Sequence, residues 1–529
     1  MISSEDEKEQ LPEIASCLPT ETRTFFHGGE TAQWWTGFRW ELLATAGCVA
    51  IALYTAIFPV YRAFFLVEVS YNEGWNVYNA WMVAHHLPLY GSPAGWTTVN
   101  YPALSFYLIA QLNRLTHDFL FTGRALSILG LAVTSVCVGF IVRRITGSVL
   151  PALLAASYCI ALFCSNANSY VGADDPQLLA QAVFAAGLLL YIFRRESDIA
   201  LIGVAFLFVL GGSIKHNQID FPLAVIFDLY LLSRRRARNF CLVLMALAAV
   251  ALYVNAAIGG RFVVERILTP RLYSPMHMLK EAGEYYPPLL IPFVAACATA
   301  IKLRHDRHCR VLSLFFVISL FVGLFFSGGS GVSFNAYFSN TVAIAILLGI
   351  FFSDLRQVAH WPMGKRSLYT AGIPLLFFLW LLIPMQCNEI LWPVANWRKV
   401  HEVQARFVAQ VDFLRAQPGP VLCESLLRCY MAGKPYTYDP FNSTSLIHAG
   451  RLDANVFVER IRKQGFAAIQ FKDPPAASGQ PSAMPERFVK PILNAAAENY
   501  RVAWVNKDCT IYVPKEPTHL ASALLDGSR

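Results

Sequence analysis

The uneven spread of charge along the chain limits its possible folds more than any other feature. Residues 42–385 carry only 37 charged side chains in 344 positions. The 41 residues before them carry 11, and the 144 after them carry 30. Soluble domains charge about a quarter of their residues. A depleted centre between ordinary ends therefore predicts a membrane-embedded body, 42–385, with a cytoplasmic N-terminal tail, 1–41, and a soluble domain, 386–529. A single soluble domain, a disordered chain and a repeat solenoid are excluded.

The body contains apolar runs near 42–66, 121–142, 148–165, 176–193, 199–214, 219–233, 239–258, 286–303, 311–327, 334–353 and 367–385. The expected fold class is a polytopic α-helical membrane protein of about 11 transmembrane helices, followed by a small α/β domain. Of the 23 basic residues in the body, 15 fall in alternate loops, among them Arg143-Arg144, Arg194-Arg195 and the Arg234–Arg238 run. By the positive-inside rule these loops face the cytoplasm, which puts the N-terminus inside and the C-terminal domain outside. The expected location is a multi-pass cell (inner) membrane. The formal net charge of +8 is then mainly a topology signal and gives no reason to expect a nucleic-acid partner. No cleavable signal peptide is evident.

Two opposite-side loops, 67–120 and 258–286, are far longer than connectors need to be. In the first, Trp75, Tyr78, Trp81 and His85 recur at helical spacing, and 101–112 is apolar but too short to span. Both segments are expected to be interfacial helices on the outer leaflet. In the tail, 420–422 and 466–471 read as buried strands, 456–463 as an amphipathic helix, and 502–505 with 510–513 as a hairpin. Residues 474–485 read as a loop rich in Pro, Ala and Ser. Cys423, Cys429 and Cys509 would meet an oxidising compartment, and any one pair of them could form a disulfide.

Ionisable groups on the outer face at membrane depth are costly, so each is a functional candidate with a plainer alternative. Glu73, beside aromatic residues, is a candidate general base or else a helix-start carboxylate. Asp174 and Asp175 precede Pro176; one can cap the next helix, which leaves the other without a role. Lys215 and His216 open a run of four polar residues suited to an anion, although a lysine there can also simply snorkel. Arg261, Arg266, Arg271 and Lys280 are candidates for a phosphate clamp, and Arg124 sits at a helix end on the same side. Glu73, His85 and His86 are the residues to test for a divalent metal cofactor, but their spacing does not define a metal site. Asp228, inside a helix, reads as a structural hydrogen-bonding group.

Asn72-Glu73-Gly74-Trp75-Asn76, Asn100-Tyr101-Pro102-Ala103-Leu104-Ser105-Phe106-Tyr107, Gly123-Arg124-Ala125-Leu126-Ser127, Asp174-Asp175-Pro176-Gln177 and Lys215-His216-Asn217 occur in that order. Ala432-Gly433-Lys434-Pro435 and Asp439-Pro440-Phe441 follow in the tail. Taken together, these segments resemble the GT-C glycosyltransferases of the protein O-mannosyltransferase and ArnT-like group, over most of the chain. The resemblance implies transfer of a sugar from a polyprenyl-phosphate donor to an acceptor hydroxyl on an envelope glycan, lipid or protein. It also implies an acidic residue of the first outer loop as base. Such enzymes usually carry an Asp-Glu pair there; here Asn72 holds the Asp position, so the role would fall to Glu73, with Asp174 or Asp175 as the second acid. Lys215 and basic residues of 258–286 would stabilise the departing phosphate, and Trp75, Trp81, Trp96 and Tyr101 would line the sugar pocket. On this reading, removing Glu73 abolishes transfer and leaves the protein folded.

Two rival functions fit the same topology. A secondary transporter or lipid flippase is disfavoured because no duplicated halves with broken helices are visible. An inactive scaffold would not need the acidic loop residues.

Overall fold

The computed structural model describes residues 28–92, 95–269, 271–356, 363–382, 397–472 and 487–515. The stretch 474–485 and the first 27 residues lie outside them. The body begins with α1 (Gly28–Arg62), α2 (Tyr71–Ala84) and α3 (Leu104–Thr116). It continues through α4 (Phe119–Thr146), α5 (Val149–Asn166), α6 (Gln177–Arg194), α7 (Asp198–Ile214), α8 (Asp220–Leu232) and α9 (Arg234–Gly259). The short α10 (Val263–Ile267) and α11 (Pro275–Tyr285) precede α12 (Leu290–Leu303), α13 (Arg310–Ser327), α14 (Phe338–Arg356) and α15 (Met363–Leu382).

Each of the eleven apolar runs coincides with one of these helices. Among the described residues, seven are long and apolar enough to cross a bilayer, or eight if the bent pair α11–α12 is one span. The shortfall lies partly in α7 and α8, of 17 and 13 residues. At 1.5 Å per residue, α8 covers about 20 Å, less than the roughly 30 Å of hydrocarbon. The polar turn 215–218 lies between these two helices.

Packing sorts the helices by sequence. α14 is almost wholly buried and carries the small and apolar row Ala343, Ala345, Leu347 and Gly349 into the centre of the bundle. α9 sits at the periphery, with Leu242, Met245, Val250, Leu252, Tyr253 and Ile258 exposed. An exposed apolar face like this suits a lipid surface. Asp228 is fully buried and accepts from Tyr191 Oη (2.7 Å) and Arg310 Nε (3.1 Å), a structural role as expected.

The tail forms α16 (Trp397–Ala416), α17 (Leu426–Met431), α18 (Pro440–His448), α19 (Ala454–Arg462) and α20 (Lys490–Asn499) with a four-stranded sheet. The strands are β1 (Val421–Cys423), β2 (Ala468–Phe471), β3 (Tyr500–Val505) and β4 (Thr510–Pro514), in the order β1-β2-β4-β3. β1 and β2 are parallel, joined through helices, and β3 and β4 form the antiparallel hairpin read from the sequence. Cys423 pairs with Cys429 in a disulfide, and Cys509 is buried and free.

One expectation changes here. α2 is no surface anchor: Trp75, Val77, Tyr78 and Ala80 are buried in a core shared with Phe106 of α3 and with Phe407, Val411, Leu426 and Leu427 of the tail. The closest approach is at Gly74, where an added Cβ would lie 2.0 Å from Leu427 N. The sequence shows the aromatic face of this helix but not the tail domain that covers it.

Candidate active site

Glu73 lies in the first turn of α2, which Ser70 caps by accepting from Asn72 N. Its carboxylate is fully buried and meets Arg124 of α4 side-on, with Nε–Oε1 at 2.7 Å and Nη2–Oε2 at 2.8 Å. Oε1 also accepts from Asp174 N (3.1 Å) and Oε2 from Val69 N (2.7 Å). Four donors occupy the four lone-pair positions of a carboxylate. Arg124, also buried, spends its remaining donors on the carbonyls of Phe65 and Val67, both at 2.6 Å, and of Ala63 at 3.4 Å. The pair therefore ties the end of α1, the start of α2 and the 171–176 turn together. All the lone-pair positions of Glu73 are thus occupied, and neither member of the pair lines either of the two cavities described below.

Asp174 and Asp175 stand beside this pair. Asp174 packs against Gly123, where a Cβ would lie 2.0 Å from Oδ1. Its backbone carbonyl accepts from Asn76 Nδ2 at 2.5 Å. Burial, reinforced by the charges of Glu73 and Asp175, pushes the Asp174 carboxyl well above the usual carboxylate range. Asp175 does the capping, accepting from Gln177 N (2.8 Å), and also binds Lys215 Nζ (3.0 Å) and Asn72 Nδ2 (3.2 Å). Burial opposes the charge on Lys215, but Asp175 and Tyr101 outweigh it and lift the amine above its ordinary value. Its Nζ lies 4.3 Å over the Tyr101 ring.

Directly above this polar floor is a cavity of about 410 Å³, within the roughly 300–1,000 Å³ typical of small-molecule sites. Tyr71, Asn72, Trp75 and Tyr101 line one side. Trp75 donates its indole N–H to Thr98 O (3.0 Å) and Asp439 Oδ2 (3.1 Å) and meets Tyr101 edge to face. Arg271, His277, Lys280 and Glu281 form another wall, and Phe441, Asn442 and Arg487 of the tail complete it. Arg487 stacks 3.7 Å over the Tyr71 ring. Buried Asp439 caps α18 through Asn442 N (3.0 Å) and also accepts from Tyr71 Oη (3.3 Å), locking the tail onto α2. Burial raises its carboxyl, against the hydrogen bonds from Asn442.

The candidates from the sequence thus separate. Trp75, Tyr101, Arg271 and Lys280 reach the cavity, and Lys215 underlies it. Arg266 is instead buried and binds Gly91 O, Ser92 O and Thr98 Oγ1, bracing the first loop. Arg261 is exposed over Phe262. Trp81 stacks on His85, and Trp96 packs on Tyr438 and Phe457 inside the tail. The proposed metal set fails on distance. His85 and Glu73 are at opposite ends of α2, about 18 Å apart along its axis. No cluster of three metal-ligating side chains occurs among the described residues.

His277, Glu281, Asn442 and Arg487 were not singled out from the sequence. His277 and Glu281 fall at i and i+4 in a loop read for its positive charge, and that spacing was the one available signal. Arg487 follows the proline-rich stretch, and nothing local ties it to the membrane body.

His216 lines a second cavity of about 280 Å³, an apolar groove bordered by Phe184, Phe208, Leu244, Ala248 and Leu252. Apolar surroundings, then Arg271 and Lys215, lower its imidazole to about 4. Tyr101 lines the first cavity and Pro102 the second, so consecutive residues border the two.

Comparison with known proteins agrees with this architecture. The family model described as dolichyl-phosphate-mannose-protein mannosyltransferase matches residues 100–258. No curated protein matches by sequence. The fold is similar to ArnT from Cupriavidus metallidurans in its apo state, with TM-score 0.56, 11% identity, and coverage of 90% of this chain and 98% of that one. The same enzyme bound to undecaprenyl phosphate gives TM-score 0.54 at 11% identity, covering 89% and 97%. The Archaeoglobus fulgidus oligosaccharyltransferase tethered to an acceptor peptide gives 0.52 at 12% identity, covering 90% and 74%. The chain has the GT-C fold of these proteins, and its residues 100–258 resemble the mannosyltransferase family in sequence.

Proposed function

We propose that the protein is an integral membrane glycosyltransferase that moves a sugar from a polyprenyl-phosphate donor to an acceptor hydroxyl on the extracytoplasmic side. The observation that carries this reading is the pairing of two neighbouring cavities. A polar, aromatic-walled chamber with Arg271, Lys280 and Arg487 on its walls adjoins Tyr101, and an apolar groove adjoins the next residue, Pro102. A lipid-linked phosphosugar has the same two halves. The isoprenoid chain suits the groove, the phosphate suits the cations, and the sugar suits the faces of Trp75 and Tyr101. The ArnT structure that holds undecaprenyl phosphate supports the same donor class.

In this mechanism the acceptor oxygen attacks the anomeric carbon as the bond to phosphate breaks. Negative charge then develops on the departing phosphate, where fixed cations lower the barrier. Asp175 and Lys215 hold Asn72 and Tyr101 in place beneath the sugar, and Glu73 with Arg124 shapes the turn that presents them. The basic loops suggest a cytoplasmic N-terminus with the tail outside, and the Cys423–Cys429 pairing suits an oxidising compartment. The domain limits follow the same division, with 42–385 as the catalytic body and 386–529 as the outer domain.

The test is transfer by the purified full chain in detergent, using labelled polyprenyl-phosphate hexoses and pentoses with envelope extracts as acceptors. Label should move to an acceptor and free polyprenyl phosphate should appear in equal amount. Movement of intact donor across liposomes without its cleavage would favour a flippase and defeat the proposal.

A further inference from the structure

In this chain the position usually held by the first-loop aspartate is Asn72, and the glutamate beside it has no free lone pair. The wall that carries α11 offers another carboxylate. Ser274 caps this helix through His277 N, and Pro275 occupies its first turn. Met276 and Leu279 point outward, while His277, Glu281 and Tyr285 recur every four residues on the inner face. Tyr285 is buried against Tyr337 and fixes the helix rotation. His277 Nε2 lies 3.1 Å from Val332 O and 4.0 Å from Glu281 Oε1. Glu281 lines the cavity and is 8% exposed, and its Oε2 is buried with no hydrogen-bond partner among the described residues.

An unpartnered buried carboxylate oxygen is costly to a fold and calls for an explanation. Asp174 Oδ2 is also unpartnered, but that residue packs beneath the site on Gly123 and does not line the cavity. Glu281 lines it.

We propose that Glu281 is the general base of the sugar transfer. The inference rests on the glycosyltransferase reading and names the group that reading leaves open. The acceptor O–H gives its proton to the Glu281 carboxylate, and the oxygen forms a bond to the anomeric carbon. The bond from that carbon to the phosphate oxygen breaks, and its electron pair leaves with polyprenyl phosphate. His277 lies beside Oε1, with its Nε2 hydrogen held by Val332 O. Base catalysis thus comes from the second outer loop, opposite the wall where the sequence motif would place it.

The experiment compares wild type with Glu281→Gln in the full-length protein, measuring kcat, donor KM and thermal stability in detergent. A positioned base contributes about 10²–10⁴-fold, so kcat should fall at least a hundredfold while donor KM and melting temperature hold. Glu281→Asp should retain more activity than Glu281→Gln. Near-normal turnover by Glu281→Gln overturns the assignment. So does a fall in kcat that comes with a matching loss of melting temperature and donor affinity, because that marks a structural residue. If wild type itself cleaves no donor, the glycosyltransferase reading fails, and this inference with it. A fully active Glu281→Gln defeats this inference alone.

Discussion

Glu73 looks reactive in sequence, and in space all four lone-pair positions of its carboxylate are occupied. Its carboxylate accepts from Arg124, Val69 and Asp174, and both charges are fully buried. Removing one member of a buried ion pair typically costs about 3–5 kcal/mol, because the other charge is left uncompensated. Glu73→Gln should therefore lower folded yield and melting temperature in detergent, in addition to any effect on turnover. A variant that melts like wild type but has no activity would restore Glu73 as a catalytic group. His216 supports a second prediction at this scale. Its folded-state value of about 4 lies below the ordinary 6.5, so the unfolded chain takes up a proton that the folded chain refuses. Its contribution is therefore present above pH 6.5 and is lost as pH falls from 6.5 towards 4. His216→Gln should flatten the fall in melting temperature across that window relative to wild type, and parallel curves would refute the assignment. Asp175 and Lys215 stand out in the sequence because charges are rare at membrane depth, and Trp75 and Tyr101 stand out through the family resemblance. It could not identify Glu281, because a glutamate in a polar loop has no distinguishing neighbours until the loop folds.

Among the elements, α2 and α4 carry the site's geometry through glycine. Gly123 on α4 leaves room for the Asp174 carboxyl, and an added Cβ would sit 2.0 Å from Oδ1. Asp174 has little room to move, since its backbone is fixed by Glu73 and Asn76. Gly123→Ala should push the 171–176 turn off α4, separate Asp175 from Lys215, and cost activity more than tenfold with reduced stability. Activity and melting temperature measured together would check this, and a silent Gly123→Ala would show that the turn yields freely. Helix positions were legible because each apolar run coincides with a helix, while the number that span was not, since α7 and α8 are short. The setting of α2 was not, because its aromatic face suits a lipid headgroup belt and a protein cover equally well. The covering strand and helix lie more than 300 residues away in sequence, as in the contact of Tyr71 with Asp439.

For the whole molecule, the tail and the membrane body line one cavity. Phe441, Asn442 and Arg487 share a cavity with Tyr71 and Asn72. Arg428 on α17 reaches Glu68 at 3.3 Å, strengthening the same interface. Orientation can be tested at this scale. Lys472 and Arg235 are both exposed, one in the tail and the other in an arginine-rich turn. In intact cells a membrane-impermeant maleimide should label Lys472→Cys readily, and Arg235→Cys only after the membrane is opened. The reverse pattern would invert the topology. The sequence by itself determined the membrane body, its helices, the α/β tail and the GT-C resemblance. These follow from local quantities: apolar length, charge spacing and short motifs read in order. Only the tertiary structure decided which carboxylates are spent on holding the fold and which face the cavity. A carboxylate's role depends on how many of its lone pairs are occupied, and its partners come from helices and loops far apart in the chain.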